Sequence, residues 1–180
     1  KAVFAGLPIK ILTLGDAGIA GEALENGTTL EENALQKALF AWERTKKWSM
    51  ADDTGLFIES LSGKPGIHAA RWAGNVSTEE IMRFTLEKLK GVVNRTATFR
   101  SVAVLVAPDG KHLAFTGEVK GSLLTEPRVP CQPKMPYSAI FVPDGQPKSW
   151  AEMSVDEENA ISHRGKAFRQ VRSFFERTLQ

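Results

Sequence analysis

Apolar residues fall at helical spacing in three stretches of this chain. One is the Ala/Leu-rich run that follows Thr29-x-x-Glu32, and a second follows Ser77-x-x-Glu80 with Ile81, Phe84 and Leu89. In such a Ser/Thr-x-x-Glu box the hydroxyl accepts from the third amide while the Glu reaches back to the first, so each box predicts a helix start. The third stretch, Ala167, Phe168, Val171, Phe174 and Phe175, predicts a final helix packed on the core with Ser162 as its N-cap.

Extended segments are predicted between these helices. A short run ends at Asp52 and Asp53, where a strand meets a turn, and another covers Leu56 to Leu61. A longer pair, Ala97 to Val106 and His112 to Val119, is joined by Pro108-Asp109-Gly110, whose residue types suit a tight turn. Glu126 to Lys148 is rich in Pro and without period, which predicts a long, partly ordered loop. Helices and strands interleave without strict alternation, as in an α/β fold with a mixed β-sheet in two lobes around a central cleft.

The length of 180 residues is enough for one domain with a substantial core, so residues 1–180 are expected to form a single two-lobed domain. A net charge of +2 from 23 basic and 21 acidic residues, mixed along the chain, gives no electrostatic footprint for nucleic acid. There is no run of about 20 apolar residues and no charged-then-apolar leader, so no membrane contact is expected. Cys131 is the only cysteine, which fits a structural thiol in a reducing, cytoplasmic setting.

Glu25, Glu31, Glu32, Asp52 and Asp53 flank one predicted helix that also carries Lys37. Oxygen donors of this kind suit Mg²⁺, which takes one or two carboxylates and leaves its other positions to water and phosphate. Glu31 and Glu32 at a helix start serve the cap and the dipole. An Asx-turn explains one of Asp52 and Asp53 and leaves the other without a reason. Ser162-His163-Arg164 places donors where a helix start favours an anion, yet an Arg in a first turn opposes the dipole. His68 and His112 read as surface or strand residues, and the four Trp residues as packing groups.

Three stretches resemble the inosine triphosphate pyrophosphatase family. They are Glu25-Asn-Gly-Thr-Thr-Leu-Glu-Glu-Asn-Ala-Leu-Gln-Lys37-Ala, then Ala51-Asp-Asp-Thr-Gly-Leu56 with Leu61-Ser-Gly-Lys-Pro-Gly66 and Ala70-Arg-Trp-Ala-Gly74, and Ala151-Glu-Met153 with Asn159-Ala-Ile-Ser-His-Arg164. Phe115-Thr-Gly-Glu-Val-Lys-Gly121 and Glu126-Pro-Arg128 link the second to the third, so order and spacing agree over nearly the whole chain. The resemblance implies a two-lobed α/β homodimer that uses Mg²⁺ to cleave purine nucleoside triphosphates into monophosphate and pyrophosphate. Carried over residue by residue, it makes Glu25 a metal-side carboxylate, Lys37 a phosphate clamp and Asp53 the acid that holds metal and activates water. Thr54 and Tyr137 are then substrate contacts, and His163 and Arg164 contacts to the purine.

The chain also departs from the family pattern. It opens at Lys1-Ala-Val-Phe, inside the helix that follows the family's opening strand and Ser/Thr-x-Asn-x-x-Lys phosphate loop. In place of the family's Phe-Gly-Tyr-Asp-Pro base loop stands Met135-Pro-Tyr-Ser-Ala139, preceded by a two-residue insertion containing Cys131, and only Tyr137 is kept. Glu158 stands where the family has Lys. These changes imply an altered base preference or, as the alternative, a catalytically impaired relative that binds another nucleotide or a protein partner.

Overall fold

A computed structural model describes residues 2–179. Five strands form one sheet in the order β2-β1-β3-β4-β5. β1 is Ser49–Ile58, β2 Pro65–Gly66, β3 Thr96–Val106, β4 His112–Leu123 and β5 Phe141–Pro143, and the helices are α1 (Leu30–Thr45), α2 (Thr78–Lys88), α3 (Val155–Ile161) and α4 (His163–Thr178). This is the expected α/β class. β2 runs antiparallel to β1 with Leu56 opposite Gly66, and β5 antiparallel to β4 with Ser122 opposite Val142.

The chain divides into two compact units. The first holds the residues up to Asp53, Ser101–Gly117 and those from His163 on, and the second holds Thr54–Arg100 and Glu118–Ser162. In the first unit Ala167, Val171 and Phe175 of α4 bury against Ala103 and Leu105 of β3 and against Phe4. Each large side chain buried in this way contributes about 1.5–3 kcal/mol relative to leaving it in water. In the second unit Leu56, Ile58, Phe99, Val119, Phe141 and Trp150 form a separate core, with Ile81 and Met82 of α2 packed into it. Arg95 is tied down there by the carbonyls of Leu89, Leu123 and Leu124.

Both predicted capping boxes are present. The Thr29 hydroxyl accepts from the Glu32 amide and the Ser77 hydroxyl from the Glu80 amide, and each Glu returns to its cap backbone. The hairpin turn also forms as expected, with the Ala107 amide donating to the Lys111 carbonyl at 2.8 Å.

Four expectations need correction. β1 does not stop at Asp52 and Asp53 but carries both in mid-strand, because pairing on β3 extends it without a turn. The Pro-rich region includes β5, whose Leu123–Phe141 pairing supplies the partner that composition does not reveal. A separate short helix, α3, which Ser154 and Glu157 open with a further capping box, was not expected; Ser162 ends it and directly precedes α4, the position expected for the N-cap. The start of the chain is not helical beyond a short 3₁₀ turn at Ala2–Phe4, held by Arg172 donating to the carbonyls of Val3 and Ala5; Lys1 lies outside the described residues.

At Gly117 strand β4 comes close to the first turn of α4. A Cβ there would stand 2.7 Å from the Ala167 amide nitrogen and would also meet the His163 carbonyl, both of them backbone atoms that cannot turn aside. Gly117→Ala is therefore expected to destabilise the protein by ~1–3 kcal/mol through overpacking. A urea midpoint equal to that of the unsubstituted protein would show that α4 moves away at no cost.

Candidate active site

The side chains of a strand alternate between its two faces, so the adjacent Asp52 and Asp53 point to different neighbours. Asp53 faces α1. Its Oδ1 lies 2.8 Å from Lys37 Nζ, and its Oδ2 accepts from Asn33 Nδ2 at 3.3 Å. Lys37 Nζ is also 3.6 Å from Glu25 Oε2, so one ammonium stands between two carboxylates. Asn33 and Lys37 are four residues apart and share one face of α1, which lets a single strand residue meet both.

The segment before α1 that carries Glu25 is fastened to the helix by its own side chains. Asn26 and Gln36 exchange a pair of hydrogen bonds, 2.7 Å from Gln36 Nε2 to Asn26 Oδ1 and 3.2 Å from the Asn26 amide to Gln36 Oε1. The Gly27 amide donates to Asn33 Oδ1 at 2.9 Å, and the Thr28 amide to Glu32 Oε2 at 2.6 Å. A Cβ on Gly27 would come 2.7 Å from Glu32 Cβ, so this approach needs glycine. Asn33 is only 1% exposed, and its amide joins the Glu25 segment on one side to Asp53 on the other.

Asp52 meets α4 instead. Its Oδ2 accepts from Arg164 Nε at 2.9 Å and lies at the same distance from Arg164 Nη2, while Ser101 Oγ of β3 donates to it at 3.4 Å.

The sequence of this chain matches a family described as the Ham1 family over residues 1–174, a span that contains every residue of the candidate site. The chain belongs to the Ham1 family. It is 41% identical over 167 residues to a dITP/XTP pyrophosphatase of Deinococcus deserti, covering 93% of this chain and 78% of that protein. It is 37% identical over 183 residues to a dITP/XTP pyrophosphatase of Thermoanaerobacter pseudethanolicus, covering all of this chain and 91% of that one. A solved Ham1 protein from Coxiella burnetii superposes with a TM-score of 0.88 at 31% identity, over 98% of this chain and 90% of its own.

Within this Ham1 chain, His163 opens α4 and is 7% exposed. Burial, with the neighbouring charges of Arg164 and Lys166, pushes its pKa down to about 3, so the imidazole is neutral at physiological pH. Thr54 follows Asp53 on β1 as a half-buried residue of the second unit. Tyr137 also belongs to the second unit, where it is 3% exposed and its hydroxyl donates to the Ala69 carbonyl at 2.8 Å. Its surroundings are those of a core residue, and burial pushes its phenol pKa up. The Ser138 hydroxyl accepts from the Gln132 amide and donates to the Met135 carbonyl, both at 2.8 Å, so it ties its own loop together. Burial raises the Cys131 thiol pKa, and Sγ contacts Met82 Sδ at 3.5 Å.

No three His, Cys, Asp or Glu side chains converge as a preformed metal cage among the described residues. Two hard carboxylates beside a lysine fit Mg²⁺ nonetheless, because this ion usually keeps water and takes substrate phosphate for its remaining positions. A cavity of about 580 Å³ in the first unit, bordered by Ile11, Trp48, Met50, Leu105 and Phe175, is mainly apolar and includes none of Glu25, Lys37, Asp52, Asp53 or Arg164 in its wall. Polar convergence, not enclosed volume, marks the candidate site.

Asn33 is the candidate residue that sequence reasoning passed over, and the partner that Asp52 finds in Arg164 was not foreseen. Asn33 lies one helical turn before Lys37, a spacing that could have drawn attention to it. Asn33→Ala would leave the Gly27 amide without its acceptor and Asp53 without a donor, at an expected cost of ~1–3 kcal/mol in stability. A denaturation midpoint unchanged in Asn33→Ala would mean that water replaces the amide fully.

Acid has a calculable effect at His163. The folded protein keeps the imidazole neutral down to about pH 3, whereas the unfolded chain takes up a proton near pH 6.5. The stabilising contribution is complete above pH 6.5 and is lost as pH falls toward 3, with a slope of up to about 1.4 kcal/mol per pH unit. Urea titrations at pH 7 and pH 5 should show a larger loss for the unsubstituted protein than for His163→Gln. Equal losses would place the charged imidazole comfortably in the fold.

Proposed function

We propose that this protein hydrolyses non-standard purine nucleoside triphosphates, of the dITP and XTP class named for its relatives, to monophosphate and pyrophosphate. The observation that carries this reading is the Lys37 ammonium held between the carboxylates of Asp53 and Glu25. A triphosphate brings several negative charges, and a lysine already balanced by two carboxylates supplies a point charge that phosphate oxygens can claim. Release of Lys37 to the substrate frees both carboxylates.

Glu25 and Asp53 would hold Mg²⁺, which would neutralise charge on the phosphates. Asp53, oriented by Asn33, accepts a proton from the attacking water. The water oxygen bonds to the α-phosphorus, the bond from that phosphorus to the bridging oxygen breaks, and the electron pair leaves with pyrophosphate. His163 and Arg164 meet the base. The partly buried Cys131 thiol supports a reducing compartment such as the cytoplasm.

The altered base loop weighs less against this activity than its sequence suggests. Ser138 satisfies its hydroxyl inside the loop and Tyr137 spends its own on Ala69, so neither presents a changed hydrogen-bonding group to a ligand. Among the departures behind the alternative of a non-catalytic relative, Ser138 thus carries less weight, while Met135 and Glu158 still favour it.

Pyrophosphate release measured with Mg²⁺ across inosine, xanthosine, adenosine and guanosine triphosphates tests the proposal. Activity is expected on the first two, and Asp53→Asn is expected to lower it by ~10²–10⁴-fold, the usual range for a general base, with the fold intact by a cooperative melting curve. Full turnover in Asp53→Asn would remove this residue from the chemistry, and silence of the unsubstituted protein on every nucleotide would remove the function.

A further inference from the structure

The second carboxylate of the pair has no contact with Lys37, and its surroundings point to a different task. Asp52 is 16% exposed in its side chain and Arg164 is 59% exposed. Oδ2 of Asp52 engages Nε and Nη2 of the guanidinium together, and the fully buried Ser101 hydroxyl braces the same oxygen from β3. Among the described residues no other ion pair or hydrogen bond holds the Arg164 side chain, so Nη1 and one Nη2 hydrogen stay uncommitted.

The first turn of a helix disfavours a cation, because the helix amides already place positive charge there. Arg164 sits in that turn of α4, beside His163 and close to Lys166. Without a counter-charge its flexible side chain would lean away from the helix end into solvent. Asp52 supplies the charge and also fixes direction: with one side of the planar guanidinium held, the remaining N–H groups stand in one plane on the opposite side.

We propose that Asp52 is a positioning residue that holds Arg164 as a rigid two-donor edge for the base of the substrate, and through it sets selectivity for 6-oxo over 6-amino purines. This rests on the reading above that Arg164 meets the base. A 6-oxo purine offers two acceptors side by side, O6 and N7, whereas adenine offers N7 beside an amino donor. Two fixed donors match the first and oppose the second. A guanidinium free to turn can satisfy N7 alone, and the distinction fades.

A purely structural ion pair is the competing account, and a pair this exposed on one side adds little to stability. The two accounts separate in kinetics. Asp52→Asn, Asp52→Glu, Arg164→Ala and the double variant Asp52→Asn/Arg164→Ala are compared on inosine and adenosine triphosphates at saturating Mg²⁺, each with a melting curve. For Asp52→Asn, KM for inosine triphosphate is expected to rise ~10–100-fold, as for a misplaced contact. Its kcat should stay within ~3-fold, the mark of lost binding with the chemistry intact. The preference for inosine over adenosine triphosphate should fall with it, and Asp52→Glu should lie nearer the unsubstituted enzyme. The double variant should be no worse than Arg164→Ala alone, because the two residues act as one unit.

Additive losses in the double variant, or an unchanged inosine preference in Asp52→Asn, would overturn the assignment while leaving the hydrolase reading in place. A collapse of kcat in Asp52→Asn like that expected for Asp53→Asn would also overturn it, by making Asp52 part of the chemistry. An unsubstituted protein that acts on no nucleotide overturns the hydrolase reading itself and this inference with it.

Discussion

Two carboxylates next to each other on a paired strand cannot turn to the same neighbour, because successive side chains leave a strand on opposite faces. β1 carries Asp52 and Asp53 in mid-strand, and everything that resembles a site in the first unit is arranged around that alternation. One face takes α1 through Lys37 and Asn33, and the other takes the start of α4 through Arg164. Carboxylates as little exposed as these need partners to offset the hydration they lose, and each has a separate cation. Shifting the strand by one residue would exchange the two faces and break both pairs at once.

The Asp53 face also shows how a site of like charges is kept together before a ligand arrives. Glu25 lies on a segment without regular structure, and left to itself it would move away from a second carboxylate. Lys37 screens the two from each other, and Asn33, Gln36 and Glu32 hold the segment by its backbone amides and by Asn26. Since these bonds exist without substrate, binding need not order the segment, which keeps the entropic cost of association low. The acidic residues at the helix start divide their work accordingly. Glu32 caps the helix and anchors the Thr28 amide, and its hydrogen bonds to Thr28 hold its carboxyl below the ordinary range.

What could be read from sequence was whatever depends on short spacing. Thr29 with Glu32, Ser77 with Glu80 and the turn at Pro108 to Gly110 each form a complete local unit, and each formed as expected. β5 and the run of β1 through its acidic pair could not be read in this way. Both depend on a partner strand distant in the chain, and a Pro-rich or acidic stretch gives no local sign of it. The helix α3 was legible in principle, since Ser154 and Glu157 repeat the box that marked α1, but its seven residues are too few to show a period. In the site, the convergence of Glu25, Lys37 and Asp53 followed from resemblance of motifs. The Asp52–Arg164 pair joins residues 112 positions apart, and only the fold brings them together.

Reading a substitution as a change of specificity assumes that the side chain faces the ligand. At Ser138 that assumption fails, because a small hydroxyl next to a free amide and a free carbonyl closes a turn, and this one does so with two 2.8 Å bonds. The Gln132 side chain likewise donates its amide to the Trp150 carbonyl. With those groups committed, selection among purines on the proposed reading depends on the start of α4. His163, neutral because it is buried, can present a donor or an acceptor according to its tautomer, whereas Arg164 presents donors alone. The fixed member of this pair is therefore the one able to reject a base, and what fixes it is the carboxylate beneath it. A change in the orientation of Arg164 would alter the choice of base more than a change in the composition of the loop, since the loop hydroxyls are already satisfied and the guanidinium is not.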